Sequence, residues 1–185
     1  MITFDSTTHS YTIDGQPVPG VTDILTDMGF IDKTWFDDYS RERGKLVHRV
    51  IHWHITGELD EATIDTAILP YFIAWRRFEK DTGFVSTETE KPLGSKIYRF
   101  AGTPDQIGKL NGHDAIIDYK TGTILPWVGL QLAGYEILRG KPLRRFALAL
   151  KDDGKYSLKE FKDRQDRGVF LSALACWHWQ RNNRK

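Results

Sequence analysis

Two aspartates, a lysine and the turn that gathers them carry most of the chemistry in this sequence. Residues 102–122 read GTPDQIGKLNGHDAIIDYKTG. Asn111-Gly112 suits a type I′ turn, whose two central positions both need positive φ. The flanking runs Thr103–Lys109 and His113–Lys120 are therefore expected to pair as antiparallel strands. Asp105 then lies on the first strand, Asp118 and Lys120 on the second. Side chains alternate along a strand, so Asp118 and Lys120 point one way and Tyr119 the other. Two carboxylates and an ammonium gathered in this way suit a hard divalent cation. Mg²⁺ takes oxygen ligands and is commonly held by one or two carboxylates plus substrate phosphate. Such an ion lowers the pKa of a bound water and clamps a scissile phosphate. The same residues also describe a surface hairpin with an ion pair. Against that, Asp118 ends the apolar run Ala115-Ile116-Ile117, where an unused carboxylate is costly.

The elements that must position these groups follow from periodicity and breakers. Residues 2–19 read as a β-hairpin, Ile2–Asp5 with Ser10–Ile13, turning at Asp14-Gly15 toward Val18. A short helix follows, with Thr22 as N-cap and Gly29 as its stop. Trp35–Ile55 is a helix candidate, with Phe36, Tyr39, Leu46, Val50 and Trp53 near one another on the wheel. Within it, Gly44 and His48 share a face. His52 lies one turn further on, but the pair lacks a third zinc ligand at motif spacing. His9, His52, His54, His113 and His178 are assigned structural or surface roles. Ala62–Asp81 reads as a second long helix with a core stripe of Ile64, Ile68, Tyr71, Trp75 and Phe78, kinked or restarted at Pro70. Phe84–Leu93 reads as a strand with Glu88 and Glu90 on one face. Trp127–Leu138 is a helix closed by Gly140 and Pro142, with Gln131 and Tyr135 one turn apart. Arg144–Lys151 and Tyr156–Phe161 are strands joined at Asp152-Asp153-Gly154. A last helix, Asp166–Arg181, buries Phe170, Leu174 and Trp177.

With 185 residues the chain is expected to form one domain with a substantial core. No apolar run has membrane length and no signal pattern follows Met1, so a soluble cytoplasmic protein is expected. Cys176 is the single cysteine, which excludes an internal disulfide and a four-cysteine cluster supplied by this chain. A net charge of +1 makes local clusters the relevant quantity for a nucleic-acid partner. These are Arg41, Arg43, Lys45 and Arg49; Arg76 and Arg77; Arg144 and Arg145; and Arg181, Arg184 and Lys185.

Pro104-Asp105 followed by Asp118-Tyr119-Lys120 resembles the signature of the PD-(D/E)-x-K nuclease superfamily. The fuller pattern is similar to its RecB-like, phage-type exonuclease branch: Gly102 to Asp105, Asp118 to Thr121, then Gln131 to Tyr135. The opening HSYTIDGQPVPGVTDIL also resembles phage-type members, which extends the likeness to nearly the whole chain, with residues 1–33 as a family-specific extension. The resemblance implies a restriction-endonuclease-like α/β core, a mixed central β-sheet flanked by α-helices; the order of elements merely permits it. It implies a Mg²⁺ or Mn²⁺ site made by Asp105, Asp118 and the Tyr119 carbonyl, with His48 delivered by the Gly44-x-x-x-His48 helix and Glu90 as additional ligands. Glu88 is the alternative to Glu90. Lys120 would orient or deprotonate the attacking water, or offset phosphate charge; these roles stay open. Gln131, Tyr135, Thr121 and Trp127 would contact substrate, Trp127 by stacking on a base. Some relatives in this branch carry an iron–sulfur cluster, which one cysteine does not supply. The implied activity is a DNA exonuclease of repair or recombination type that favours single-stranded ends. A structure-selective or nicking endonuclease and a non-catalytic nucleic-acid binder are the alternatives.

Overall fold

The structure, a computed structural model, describes residues 1–32 and 37–183. Trp35 and Phe36 of the expected second helix, and Arg184 and Lys185 of the basic tail, lie outside the described residues. In chain order the strands are β1 (Ile2–Asp5), β2 (Ser10–Ile13), β3 (Gln16–Val18), β4 (Val85–Thr89) and β5 (Leu93–Ser95). They continue with β6 (Phe100–Gly102), β7 (Gln106–Leu110), β8 (His113–Lys120), β9 (Arg144–Leu150) and β10 (Tyr156–Phe161). The helices are α1 (Val21–Asp27), α2 (Asp38–Thr56), α3 (Leu69–Thr82), α4 (Val128–Arg139) and α5 (Gln165–Asn183).

Asn111 and Gly112 both take positive φ, 50° and 78°, and close β7 onto β8 with Leu110 opposite His113. This hairpin is the middle of a five-stranded sheet ordered β10-β9-β8-β7-β4. Only β8 and β9 run parallel, so the sheet is mixed. Its centre is apolar on both sides because helices cover both faces. Ile116 packs into a core with residues of α1, α4 and α5, while Ala115, Ile117 and Tyr119 pack against residues of α2 and α3. The chain thus has the mixed α/β architecture expected from the family resemblance.

Several local expectations need correction. Residues 2–18 form a three-stranded meander, because Asp14-Gly15 supports a second turn and adds β3 to the edge of β2. Helix α1 is capped by Gly20, whose N–H donates to the Asp23 carboxylate at 3.0 Å; Thr22 lies inside the helix. The segment before Pro70 is a 3-10 turn, Glu61–Thr63, and α3 begins beside the proline. A proline lacks the N–H that an α-helix interior requires but fits its first turn. The strand expected to reach Leu93 stops at Thr89, since a register shift falls between Ser86 and Glu88 and Glu90 has a left-handed φ of 45°. Glu88 and Glu90 consequently face different partners. Trp177 is half-buried on α5 and donates to the Asp27 carboxylate at 2.9 Å.

The basic clusters mostly serve the fold. Arg144 pairs with Glu160 at 2.8 Å and Arg76 with Glu61 at 2.8 Å. Arg145 is buried, donating to the carbonyls of Gly129 and Asp163 and lying 3.1 Å from Asp166. It joins β9 to α4 and to the start of α5, so it is not a DNA contact. Removing it leaves Asp166 and Glu136 half-desolvated without their counter-charge. Arg145→Met is therefore expected to cost about 3–5 kcal/mol, the range for breaking a buried pair from one side. Urea unfolding measures it, and a loss below about 1 kcal/mol, as for a surface pair, would contradict this role.

Candidate active site

The site lies at the end of β8, where both helical layers reach the sheet. The β7–β8 register, Gln106 opposite Ile117, sets Asp105 opposite Asp118 and Pro104 opposite Tyr119 when continued. Directly opposed residues in such a pair project to the same face. Proline has no N–H to give the Tyr119 carbonyl. The Tyr119 N–H is satisfied instead by the Asp105 carboxylate, at 2.7 Å. The sequence Pro-Asp thus ends the ladder and puts a carboxylate at the Tyr119 N–H.

Each side of the sheet adds one group. From α2, His48 Nδ1 lies 3.3 Å from Asp105, and its ring meets the edge of Tyr119 at 5.2 Å. From α4, Gln131 accepts from Lys120 Nζ at 3.2 Å and donates to the buried Tyr135 hydroxyl at 3.1 Å. Lys120 is also ion-paired with Asp118 and stands 5.2 Å over the Trp127 ring. Asp105, Asp118, Lys120, His48, Trp127 and Gln131 line one cleft of about 380 Å³.

The electrostatics are those of a strained cluster. Burial pushes the Asp118 carboxyl up to about 6; Lys120 opposes the shift and Asp105 adds to it. Burial acts upward on Asp105 as well, yet His48, Lys120 and the Tyr119 N–H together hold it below the usual carboxylate range. Burial acts downward on His48, and Asp105 outweighs it, so the imidazole is raised. Glu90 is raised by burial and then by Asp105.

The donor set fits an oxygen-seeking cation. Asp118 Oδ2 is fully buried with the Lys120 ammonium as its one partner among the described residues, and the Tyr119 carbonyl follows it directly along β8. No group of three His, Cys, Asp or Glu among the described residues is arranged to hold an ion alone. Two carboxylates and a carbonyl leaving room for waters and phosphate is the Mg²⁺ style of binding, distinct from a closed cage.

Other residues singled out in the sequence fall at different distances from this centre. Glu90 faces α2, with its carboxylate 3.7 Å from His52 Nδ1, and its N–H donates to the Asp105 carbonyl at 3.1 Å. Glu88 turns to α4 and pairs with Arg139 at 2.7 Å, which leaves Glu90 as the glutamate beside Asp105. Tyr135 is buried, so it supports Gln131 rather than touching a substrate. Thr121 lines the cleft, and its carbonyl accepts from Arg43 at 3.4 Å. Arg43 stands 5.5 Å from the Tyr39 ring and 5.6 Å from the Tyr71 ring. In the sequence Arg43 is one member of a basic cluster with Arg41, Lys45 and Arg49. Its position directly before Gly44, on the helix that carries His48, was the available signal. His52, assigned a structural role, stands beside Glu90 and 3.3 Å from Thr89.

No family model matches this sequence and no curated relative does. Among solved structures, the chain is similar to a "Putative exonuclease" from Eubacterium rectale, with 14% identity, a TM-score of 0.59, and coverage of 88% of this chain and 79% of that one. An alkaline exonuclease from Laribacter hongkongensis aligns at 16% identity and a TM-score of 0.42 over 88% of this chain and 91% of that one. The same enzyme in complex with dAMP gives 17% and 0.43 over 89% and 92%. Taken with the topology above, the chain has the fold of the Eubacterium rectale structure, a mixed central sheet between two helical layers.

Proposed function

We propose that the protein is a Mg²⁺- or Mn²⁺-dependent deoxyribonuclease that removes nucleotides from the free ends of DNA and favours single strands. The observation that carries this reading is the end of β8. Two carboxylates, an ammonium and an imidazole line one cleft there. The fold shared with a structure described as a "Putative exonuclease" accords with it.

Asp105, Asp118 and the Tyr119 carbonyl would hold the metal, with His48 and Glu90 alongside. Bound there, the ion supplies a water of lowered pKa and charge to offset the phosphate. Lys120 bridges Asp118 and Gln131, so its ammonium is fixed facing the cleft. From that position it orients a nucleophilic water by hydrogen bonding and offsets charge developing on phosphate oxygens. Gln131, itself held by Tyr135, gives the Lys120 ammonium a second fixed partner beside Asp118. His48 holds the Asp105 carboxylate ionised. The Lys120 ammonium stands over the Trp127 ring, which lines the cleft where a base would meet it.

Cleavage without regard to sequence suits a cleft that, among the described residues, no separate groove-reading element flanks. Phosphate contact without a groove-reading element gives no sequence information. The test is a gel assay with end-labelled linear and closed circular DNA, each single- and double-stranded, with Mg²⁺ and with EDTA. Stepwise shortening of linear single strands in Mg²⁺ alone is expected. Equal cutting of circles would make the enzyme an endonuclease, and cutting in EDTA would overturn the metal reading.

A further inference from the structure

The active-site cleft continues beyond Asp105. A second concavity, of about 490 Å³, shares Gly44, His48 and Asp105 with it. One wall is α2, carrying Lys45 and Arg49; the other is the N-terminal sheet, carrying Phe4 and His9. That sheet is tied to the catalytic strand region. The Tyr11 and Thr103 hydroxyls lie 2.9 Å apart, and the Ala101 N–H donates to the Pro19 carbonyl at 3.0 Å.

The rim of this wall is more ordered than its packing requires. Tyr11, Ile13, Val18 and Ala101 form its core. Phe4 stacks on Tyr11 at 4.7 Å, and the exposed His9 ring meets Phe4 edge-on at 5.2 Å. His9 has a left-handed φ of 53°, a conformation that costs an L-residue energy and that histidine adopts more often than most. Asp5 fixes the turn by accepting from the N–H groups of Thr7 at 2.8 Å and Thr8 at 3.3 Å. Across the groove, Arg49 is exposed, lies 5.8 Å over Trp53 and makes no ion pair among the described residues.

A guanidinium without a carboxylate partner attracts a phosphodiester backbone, and Arg49 offers one beside these rings.

We infer that the N-terminal sheet is a single-strand DNA-binding wall. His9, backed edge-on by Phe4, stacks on an unpaired base of the strand, while Arg49 meets its phosphates. This rests on the nuclease reading for the identity of the ligand, but its test reads binding without cleavage.

The experiment is fluorescence anisotropy of the full chain in EDTA with fluorescein-labelled (dT)12 and with an abasic strand of equal length. His9→Ala is expected to weaken (dT)12 about tenfold, the scale of one stacking contact, and to leave the abasic strand's Kd where it was. Arg49→Glu should weaken both strands alike and flatten the salt dependence. Loss of affinity for both strands in His9→Ala, or for neither, overturns the stacking wall, as does a wild type that does not bind (dT)12. A protein that binds as described but fails to cut when Mg²⁺ is added overturns the nuclease reading and leaves the wall standing.

Discussion

Asp118→Asn is expected to abolish cleavage and, at the same time, to stabilise the metal-free protein. The carboxylate ends a strand buried on both faces and is itself only 3% exposed, with burial lifting its pKa to about 6. A carboxyl whose pKa is raised on folding binds its proton more tightly in the folded state. Its ionisation therefore erodes stability as pH rises from about 4, the unfolded value, to about 6, and the loss is complete at neutral pH. Asparagine keeps the shape and an acceptor for Lys120 without the buried charge. A gain of about 1–3 kcal/mol in metal-free stability at pH 7.5 is expected, shrinking toward pH 4. The same change removes half of the carboxylate pair proposed to hold the metal. Cleavage should fall by about 10²–10³-fold or more, the scale seen when a principal electrostatic stabiliser is lost. Thermal melts in EDTA across pH, set beside rates in Mg²⁺, read both effects. A destabilised variant would contradict the burial argument, and one cutting at the wild-type rate would place the chemistry elsewhere.

Gly102→Ala is expected to damage stability and rate together through one aromatic ring. A Cβ at Gly102 would stand 2.7 Å from Tyr135 Cε1 and 3.0 Å from Val21 Cγ2, both in the buried core. Tyr135 has no solvent side to retreat to, so overpacking should cost about 1–3 kcal/mol. Its hydroxyl anchors Gln131, and Gln131 holds Lys120, so displacement of the ring reaches the ammonium in two hydrogen bonds. A rate loss of roughly tenfold is expected, since misplacement of about 1 Å can cost as much as a hundredfold. Adding Tyr135→Leu should relieve the clash and recover stability while leaving the rate low. Recovery of both in the double variant would show that Tyr135 does not position Lys120.

Local chemistry was legible from the sequence wherever it rests on one turn or one period. Asn111-Gly112 specified the hairpin because few residue pairs accept positive φ twice, and that turn fixes the register that opposes Asp105 and Asp118. Gln131 and Tyr135 share a helix face by spacing alone, and Gly140 stops α4 in the left-handed conformation. The glutamates before the hairpin were not legible. Alternation put Glu88 and Glu90 on one face, but the irregular pairing after Ser86 and the left-handed Glu90 send them to opposite layers. Such irregularities answer to packing around the strand, including Gly108, where a Cβ would strike the Val85 carbonyl and the Phe84 ring. Arg145 read like any surface base until β9 docked parallel to β8 and buried it among α4 and α5. The sequence by itself determined which residues share a turn, a strand face or a helix face, because those depend on φ preferences and periods of 2 and 3.6. Only the tertiary structure decided that α2 and α4 meet the sheet from opposite sides at the end of β8, and that the N-terminal sheet walls the same groove. Those choices depend on how buried faces pair across long chain separations, which no local preference encodes.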